Sequence, residues 1–211
     1  MYHVQNFHES DPQTLRNLIA THPLSTLITL DADGLNANLI PLIWVDDGSE
    51  LGVLRGHVAR ANPLWQNFSK DVDTLAVFQG PTAYISPSWY ATKAETHKVV
   101  PTYNYVTVQA YGTLTVHDDA AWVRAQINAL TNSQEARFAE PWQVSDAPED
   151  YVAQNMRVIV GIELKINRLT GKWKVSQNQP AGNQRTVHSH LQAEGDTAMA
   201  ACVHARFKDE T

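Results

Sequence analysis

Alternating apolar and polar positions divide the first third of the chain into one helix and three strands. Apolar residues recur at helical spacing over residues 12–21, directly after Asp11, a residue type that is favoured at the helix N-cap. The pattern then changes to strand alternation over residues 24–31, 35–45 and 51–58, with Asp- and Gly-containing turns between the runs. Three strands joined by tight turns predict an antiparallel meander of the kind found in barrels and sandwiches.

The rest of the pattern predicts further strands and helices in an irregular order. The strands are expected at residues 75–79, 83–86, 103–117 and 158–169, the last continued or followed by 171–178. The helices are expected at residues 62–69, 120–130, 146–157 and, broken near Gly195, 186–207. Because helices do not alternate one for one with strands, a doubly wound parallel sheet is disfavoured. The predicted fold class is α+β: a single domain over residues 1–211, with a mainly antiparallel barrel, flanking helices and a helical C-terminal extension at about 186–208.

Composition and charge narrow the class of protein. The 211 residues are 43% hydrophobic and 18% charged, which is an ordinary globular balance. The longest apolar run, Ala198–Val203, has six residues and is too short to span a membrane or to form the apolar part of a signal peptide. The single cysteine, Cys202, excludes an intramolecular disulfide and indicates a cytoplasmic protein. A net charge of −6 argues against non-specific nucleic-acid binding, so charge does not support DNA as a partner.

Familiar motifs of nucleotide and metal chemistry do not occur in the sequence. G-x-G-x-x-G, G-x-S-x-G and a phosphate-binding P-loop are missing, and one cysteine does not make a zinc site. His188 and His190 have strand-like spacing for two metal ligands, but the sequence offers no third ligand beside them. No nucleophile stands out with a base, so the sequence identifies no catalytic residue and predicts no metal.

The first candidate segment for ligand binding is residues 56–63. A strand ends there, Arg60 follows, and a helix capped by Asn62 begins, so free backbone N–H groups and a guanidinium point to one place. The segment is typical of a phosphate site. The alternative is an arginine that pairs with a surface carboxylate, and the sequence leaves both interpretations open.

The second candidate is Lys93 together with Thr102 and Asn104. The two strand residues share a face with Val106, at the point where an apolar face becomes polar. Such a boundary suits a ring with a polar edge above an apolar floor. The alternative, which spacing alone favours, is a strand end whose polar groups meet water.

The third candidate is residues 171–178. If this segment is extended, one face carries Lys172, Lys174, Ser176 and Asn178. Two ammonium groups, a hydroxyl and an amide in a row suit an anionic ligand. The alternative is an exposed edge strand that lysines protect against pairing with another sheet.

The chain carries four longer motifs: HVARANPLW at 57–65, FQGPTAYISPSWY at 78–90, VPTYNY at 100–105 and GKWKVSQN at 171–178. Together, and in this order, they resemble the PaiB family of FMN-binding negative transcriptional regulators. The likeness runs from residue 1 to about residue 178. It implies a split β-barrel of the FMN-binding kind, related in fold to pyridoxamine-phosphate oxidases and flavin reductases. It also implies a homodimer with two flavin sites at the subunit interface.

The resemblance also implies which residues bind FMN. Arg60 and the backbone near it are expected to hold the phosphate, with help from Lys93 or Lys174. Hydrogen bonds to the isoalloxazine edge or the ribityl chain, within one subunit or across the dimer, are expected from Thr102, Asn104, Gln177 and Asn178. The full set is His57, Val58, Ala59, Arg60, Asn62, Lys93, Thr102, Tyr103, Asn104, Lys174, Gln177 and Asn178. The chain departs from the family pattern at Tyr103, where tryptophan is usual, and again after Asn178.

The function implied by the resemblance is that of an FMN-binding negative transcriptional regulator. The regulatory part rests on the resemblance alone, since the predicted helix at 120–130 carries one arginine, Arg124, and no basic recognition face. The alternative is a flavin-dependent oxidoreductase, resembling flavin reductases or pyridoxamine-phosphate oxidases, in which FMN does the chemistry. A haem-binding split barrel is the third alternative. The sequence does not identify the electron donor, the substrate or an operator.

Overall fold

The computed structural model describes residues 1–2 and 4–207, so the predicted end of the helical extension at residue 208 lies outside the described residues. The strands are β1 His8–Glu9, β2 Leu24–Asp31, β3 Gly34–Pro41, β4 Ile43–Val45, β5 Val53–Ala59, β6 Thr74–Ile85, β7 Thr102–His117 and β8 Ile159–Lys174. The α-helices are α1 Pro12–Thr21, α2 Lys93–Thr96, α3 Ala120–Glu135, α4 Glu149–Met156, α5 Ala181–Ala193 and α6 Thr197–His204. None of the helices in this part of the chain is long and apolar enough to span a bilayer.

The strands form one sheet in the order β3-β2-β6-β7-β8-β5-β4, and β1 pairs with β8. Neighbours such as β2 and β3 are antiparallel, with Leu24 opposite Pro41 and Asp31 opposite Gly34. Contacts within the chain divide it into two compact units. Unit 1 comprises residues 1–15, 79–108 and 170–211, and unit 2 comprises residues 16–78 and 109–169. A single domain over residues 1–211 stays a prediction.

Each unit has its own apolar core, built from the alternation that the sequence shows. In unit 2 the fully buried side chains include Ile19, Leu27, Leu54, Phe78, Ile162 and Leu164. In unit 1 they include Ile85, Val108, Val175, Val187, Leu191 and Met199. These residues come from strands and helices alike, as expected when each element buries one face.

Several boundaries agree with the sequence pattern. Helix α1 and strand β2 have the predicted limits, and the Asp11 carboxylate accepts the backbone N–H of Thr14 at 2.7 Å, as an N-cap should. Strand β7 begins one residue before its predicted start and buries alternate residues. The C-terminal helices are separated at Gly195, which has a φ of +82° that favours glycine.

Other boundaries were predicted wrongly. The expected helix at 62–69 is one 3-10 turn, Pro63–Trp65, because the Ser69 N–H donates to the Leu30 carbonyl and draws the chain to β2. The two strands expected around Pro81 are one continuous strand, β6. The helix expected at 146–157 is shorter, Glu149–Met156, and a separate 3-10 turn, Val144–Asp146, precedes it.

Candidate functional site

The end of β8 and the start of β7 meet at Lys174 in unit 1. Its ammonium donates hydrogen bonds to the Thr102 hydroxyl and, at 2.6 Å, to the carbonyl oxygen of Tyr103. The structure therefore brings three of the predicted FMN-binding residues into direct contact. Strand alternation explains this contact only in part. It also requires that the end of β8 lies beside the start of β7 in the sheet.

Lys172 lies two residues before Lys174, on the same face of β8. Its side chain is buried, and its ammonium donates to the Tyr2 carbonyl oxygen at 3.2 Å. The ammonium also lies 5.8 Å from the ring centroid of Tyr2 and 5.4 Å from that of Tyr105, within range of cation–π attraction. Lys172 was noticed in the sequence pattern but was not included in the predicted FMN-binding set.

Within the part of the chain that the structure describes, neither lysine is paired with a carboxylate. In residues 1–2 and 4–207, no carboxylate oxygen lies within 4.0 Å of the ammonium of Lys172 or Lys174. Burial lowers the pKa of Lys174, and the charge of Lys172 lowers it further. Two unneutralised cations on one strand face favour an anionic ligand, since an anion would offset both the desolvation and the mutual repulsion.

An exposed aromatic surface lies beside these cations. Tyr103, whose carbonyl binds Lys174, is 60% exposed, and Tyr84 is 49% exposed. Their rings meet edge to face with centroids 5.6 Å apart and an interplanar angle of 69°. Exposed rings beside ammonium groups that have no carboxylate partner among the described residues suit a ligand that joins a flat aromatic group to an anionic group.

The polar residues that follow β8 do not share a strand face with Lys172 and Lys174. The strand ends at Lys174, and Ser176 has a φ of +66°, so the chain turns there. The Gln177 side chain closes the turn by accepting the Val175 N–H at 2.8 Å and donating to the Trp173 carbonyl. Asn178 is exposed beyond the turn. The segment is therefore extended only as far as Lys174, and the condition for one polar face from Lys172 to Asn178 is not met.

Asn104 and Lys93 are bound within the protein. Asn104 is 1% exposed, and its amide donates to the Ser176 hydroxyl at 2.9 Å. Lys93 is exposed and donates to the Ser88 hydroxyl at 3.2 Å. Their expected roles in FMN binding stay predictions.

The other predicted residues lie in unit 2, at the end of β5. Arg60 donates to both carboxylate oxygens of Asp118, at 2.9 and 2.5 Å, and to the carbonyls of Arg157 and Ile159, at 2.8 and 3.2 Å. The hydrogen bonds with Asp118 raise the pKa of Arg60, and they lower the pKa of Asp118. Of the two interpretations left open by the sequence, this geometry is that of an arginine paired with a surface carboxylate. Arg60 as the phosphate ligand stays a prediction.

The residues around Arg60 have partners of their own. His57 Nδ1 lies 2.8 Å from the Oε1 of the buried Gln126. The side-chain oxygen Oδ1 of Asn62 accepts the Leu64 N–H, and the side-chain amide of Asn62 donates to Oδ1 of Asn38, both at 2.9 Å. Of the two apolar residues in the predicted set, Val58 is buried and Ala59 is exposed.

The comparison of this chain with known proteins gives a family, two relatives and a fold. A family model described as "Putative FMN-binding domain" matches residues 1–168. An uncharacterized protein of Emericella nidulans is 34% identical over an alignment of 229 positions, and the match covers 90% of this chain and 90% of that protein. The protease synthase and sporulation protein PAI 2 of Bacillus subtilis is 27% identical over 196 residues, which is 92% of this chain and 90% of that protein.

Among solved structures, the FAD and haem binding protein of Mycobacterium smegmatis superposes with a TM-score of 0.57 at 14% identity. The match covers 79% of this chain and 73% of that protein. At that identity the likeness shows the fold. It confirms the predicted α+β, mainly antiparallel split barrel.

Proposed function

The chain belongs to the FMN-binding domain family, as its resemblance to the PaiB family predicts, and from this premise we propose that Lys174 binds the FMN phosphate. Membership of this family indicates that FMN is the cofactor of the chain. The residues of unit 1 fit such a ligand, because they combine unneutralised ammonium groups, the Thr102 hydroxyl and exposed tyrosine rings. When bound, FMN supplies hydride or electron transfer.

The observation that carries the proposal is the difference in charge balance between Lys174 and Arg60. A phosphate at Lys174 gains charge-assisted hydrogen bonds without displacing a carboxylate. A phosphate at Arg60 competes with Asp118, which already occupies two of the guanidinium N–H groups. We therefore place the phosphate at Lys174, with Thr102 as a second donor, and the isoalloxazine ring near Tyr84 and Tyr103.

The experiment is a fluorescence and visible-absorption titration of the apo-protein with FMN. Lys174→Met should weaken FMN binding by about 2 kcal/mol, the scale of a hydrogen bond to a charged group. The matched control is Lys98→Met, which removes an exposed ammonium of the same unit and should leave the affinity unchanged. Unaltered FMN affinity in Lys174→Met would refute this placement of the phosphate, and no FMN binding by the parent protein would refute the function.

We also propose that the protein is a homodimer that uses the outer face of the β2–β3 hairpin. Leu35 is 81% and Leu39 is 70% exposed on β3, and their partners on β2, Leu30 and Thr26, share that face. Apolar side chains on adjacent strands form a patch that water disfavours. A second copy of the chain is the occupant that the resemblance implies.

The regulatory role implied by the PaiB resemblance stays a prediction, as does the cytoplasmic location. We propose that such regulation runs through the flavin rather than through direct DNA contact. Arg124, the only basic residue of α3, is held by both carboxylate oxygens of Glu149, at 2.5 and 2.8 Å. A specific gel shift that survives physiological salt would contradict this proposal.

A flavin-dependent oxidoreductase is the second candidate function. The exposure of Tyr84 and Tyr103 favours it, because a ring bound there would be open to a second substrate. The test is anaerobic mixing of the FMN-loaded protein with NADH and NADPH. Bleaching of the flavin absorbance would support this function, and its failure with both donors would count against it. A Soret band after reconstitution with haem would favour the third alternative.

A further inference from the structure

We propose that Lys172 determines the specificity of the Lys174 site, because its buried positive charge makes the site select flavins with a phosphate dianion over uncharged riboflavin. This inference rests on the proposed binding of FMN at Lys174. It adds a residue to that site and states which ligands the site rejects.

The Lys172 side chain is buried without an opposite charge beside it in the described residues. Lys172 is 8% exposed, whereas lysine is rarely buried unless it is paired with an opposite charge. Its neighbours are the Tyr2 carbonyl and the rings of Tyr2 and Tyr105, which stabilise a cation but carry no net negative charge. The desolvation of the ammonium is therefore only partly offset in the protein alone.

Lys172 is held on one face of β8. The opposite face of this strand end is covered: a Cβ at Gly171 would lie 2.2 Å from a methyl carbon of Leu15, and Trp173 is buried. Lys172 is consequently held on the same face as Lys174 and cannot turn to the other. Both lysines therefore contribute positive charge to the same face of β8, at the proposed phosphate site.

The charges of Lys172 and Lys174 are electrostatically coupled. The charge of Lys172 is one of the causes that lower the pKa of Lys174, after burial, so the two groups repel each other. An anion at Lys174 relieves this repulsion and also offsets the buried charge of Lys172. A ligand without an anionic group gains neither effect, so the contribution of Lys172 appears only for phosphorylated flavins.

A purely structural role of Lys172 predicts a different effect of its substitution on flavin binding. If Lys172 only holds the N-terminal segment through the Tyr2 carbonyl, its loss changes FMN and riboflavin binding alike. The ratio of the two dissociation constants therefore separates specificity from structure.

The experiment measures FMN and riboflavin dissociation constants for the parent protein, Lys172→Met, Lys172→Arg and the control Lys98→Met. Lys172→Met should weaken FMN binding about tenfold and riboflavin binding by less than about threefold. Lys172→Arg keeps the charge and should restore most of the preference for FMN. Lys98→Met should change neither constant.

The inference is overturned if Lys172→Met weakens both flavins equally or leaves FMN binding intact. A parent protein that binds FMN through Lys174 but shows no effect of Lys172→Met would overturn this inference alone. A parent protein that binds no FMN would overturn the proposed function and this inference with it.

A second measurement needs no flavin. The melting temperature of the apo-protein should rise in inorganic phosphate relative to chloride at equal ionic strength, since an anion that binds the folded state stabilises it. The rise should shrink in Lys172→Met and persist in Lys98→Met. An equal rise in all three proteins would contradict an anion site at these lysines.

Discussion

Asp118 chelates the guanidinium of Arg60 with both carboxylate oxygens, at 2.9 and 2.5 Å. The pair joins the end of β5 to the loop between β7 and α3, and two backbone carbonyls of residues 157 and 159 complete the shell of Arg60. An arginine with this set of acceptors holds chain segments together, whatever else it binds.

The first prediction separates these roles of Arg60. We expect Arg60→Ala to lower the urea midpoint of unfolding and to change FMN affinity by less than about threefold. Asp118→Asn should also leave FMN affinity unchanged. If Arg60 instead holds the phosphate, Arg60→Ala should weaken FMN binding strongly, and Asp118→Asn, which frees the guanidinium, should strengthen it. Urea unfolding and FMN titration of both variants decide between the two outcomes.

The second prediction concerns the pH dependence of FMN binding. Burial and the charge of Lys172 lower the pKa of Lys174, so its ammonium loses a proton below the usual range for lysine. FMN affinity should therefore begin to fall at a pH below the usual lysine pKa of about 10.4. Lys174→Arg should flatten this fall, because arginine stays protonated there.

The same shift affects the apo-protein with the opposite sign. Between the folded and unfolded pKa values of Lys174, the unfolded chain binds more protons, so apo-protein stability should rise with pH in that window. Chemical denaturation of the apo-protein across this range checks the sign. An FMN affinity that is constant up to about pH 10 would contradict a role for the Lys174 ammonium.

The third prediction tests the apolar face of the β2–β3 hairpin. The double substitution Leu35→Glu and Leu39→Glu places two carboxylates on this face and should convert the proposed dimer into a monomer in light scattering. The control is Tyr151→Glu, which changes an exposed apolar residue of α4 and should leave the mass unchanged. A parent protein that is monomeric at all accessible concentrations would rule out the interface.

The fourth prediction concerns the buried pair of Asn104 and Ser176. Asn104→Ala leaves the Ser176 hydroxyl without its donor and should destabilise the fold by about 2 kcal/mol, the scale for an unsatisfied buried polar group. The exposed Asn178→Ala should cost less than about 0.5 kcal/mol. Because Asn104 is buried, its substitution should leave the FMN dissociation constant nearly unchanged. A selective loss of FMN binding with normal stability would show that Asn104 contacts the ligand.

The fifth prediction concerns Gly112 of β7, which packs directly against the backbone of Lys165 in β8. A Cβ at Gly112 would lie 1.9 Å from the Lys165 carbonyl oxygen, so Gly112→Ala forces the backbone apart and should destabilise the protein by about 3 kcal/mol. Gly182 in α5 is the control, since its nearest neighbour would be 3.9 Å away. Gly182→Ala should stabilise the protein by about 0.5 kcal/mol. Similar midpoints for the two variants in urea would refute this account of Gly112.

The predictions from sequence succeeded where local chemistry decides the outcome. Helix α1 has its predicted limits because Asp11 caps it and apolar residues recur on one face. Strand β7 follows its alternation almost residue by residue. They failed at residues 62–69, where a hydrogen bond from Ser69 to the distant Leu30 carbonyl replaced a local helix.

The site shows the same division between local and distant information. Strand periodicity alone put Lys172 and Lys174 on one face, and the family resemblance selected the residues expected to bind FMN. No pattern along the chain indicated that Asp118 neutralises Arg60, 58 residues away, or that Asn104 turns inward to Ser176, 72 residues away.

The amino-acid sequence by itself determined most of the elements and the antiparallel class of the sheet, because these depend on residue types at short and regular spacing. Its four motifs carry the resemblance to the family. Only the tertiary structure decided which cations keep an uncompensated charge, since that depends on carboxylates brought close by folding. Coulomb attraction depends on distance in space, and that distance is not encoded in the spacing along the chain.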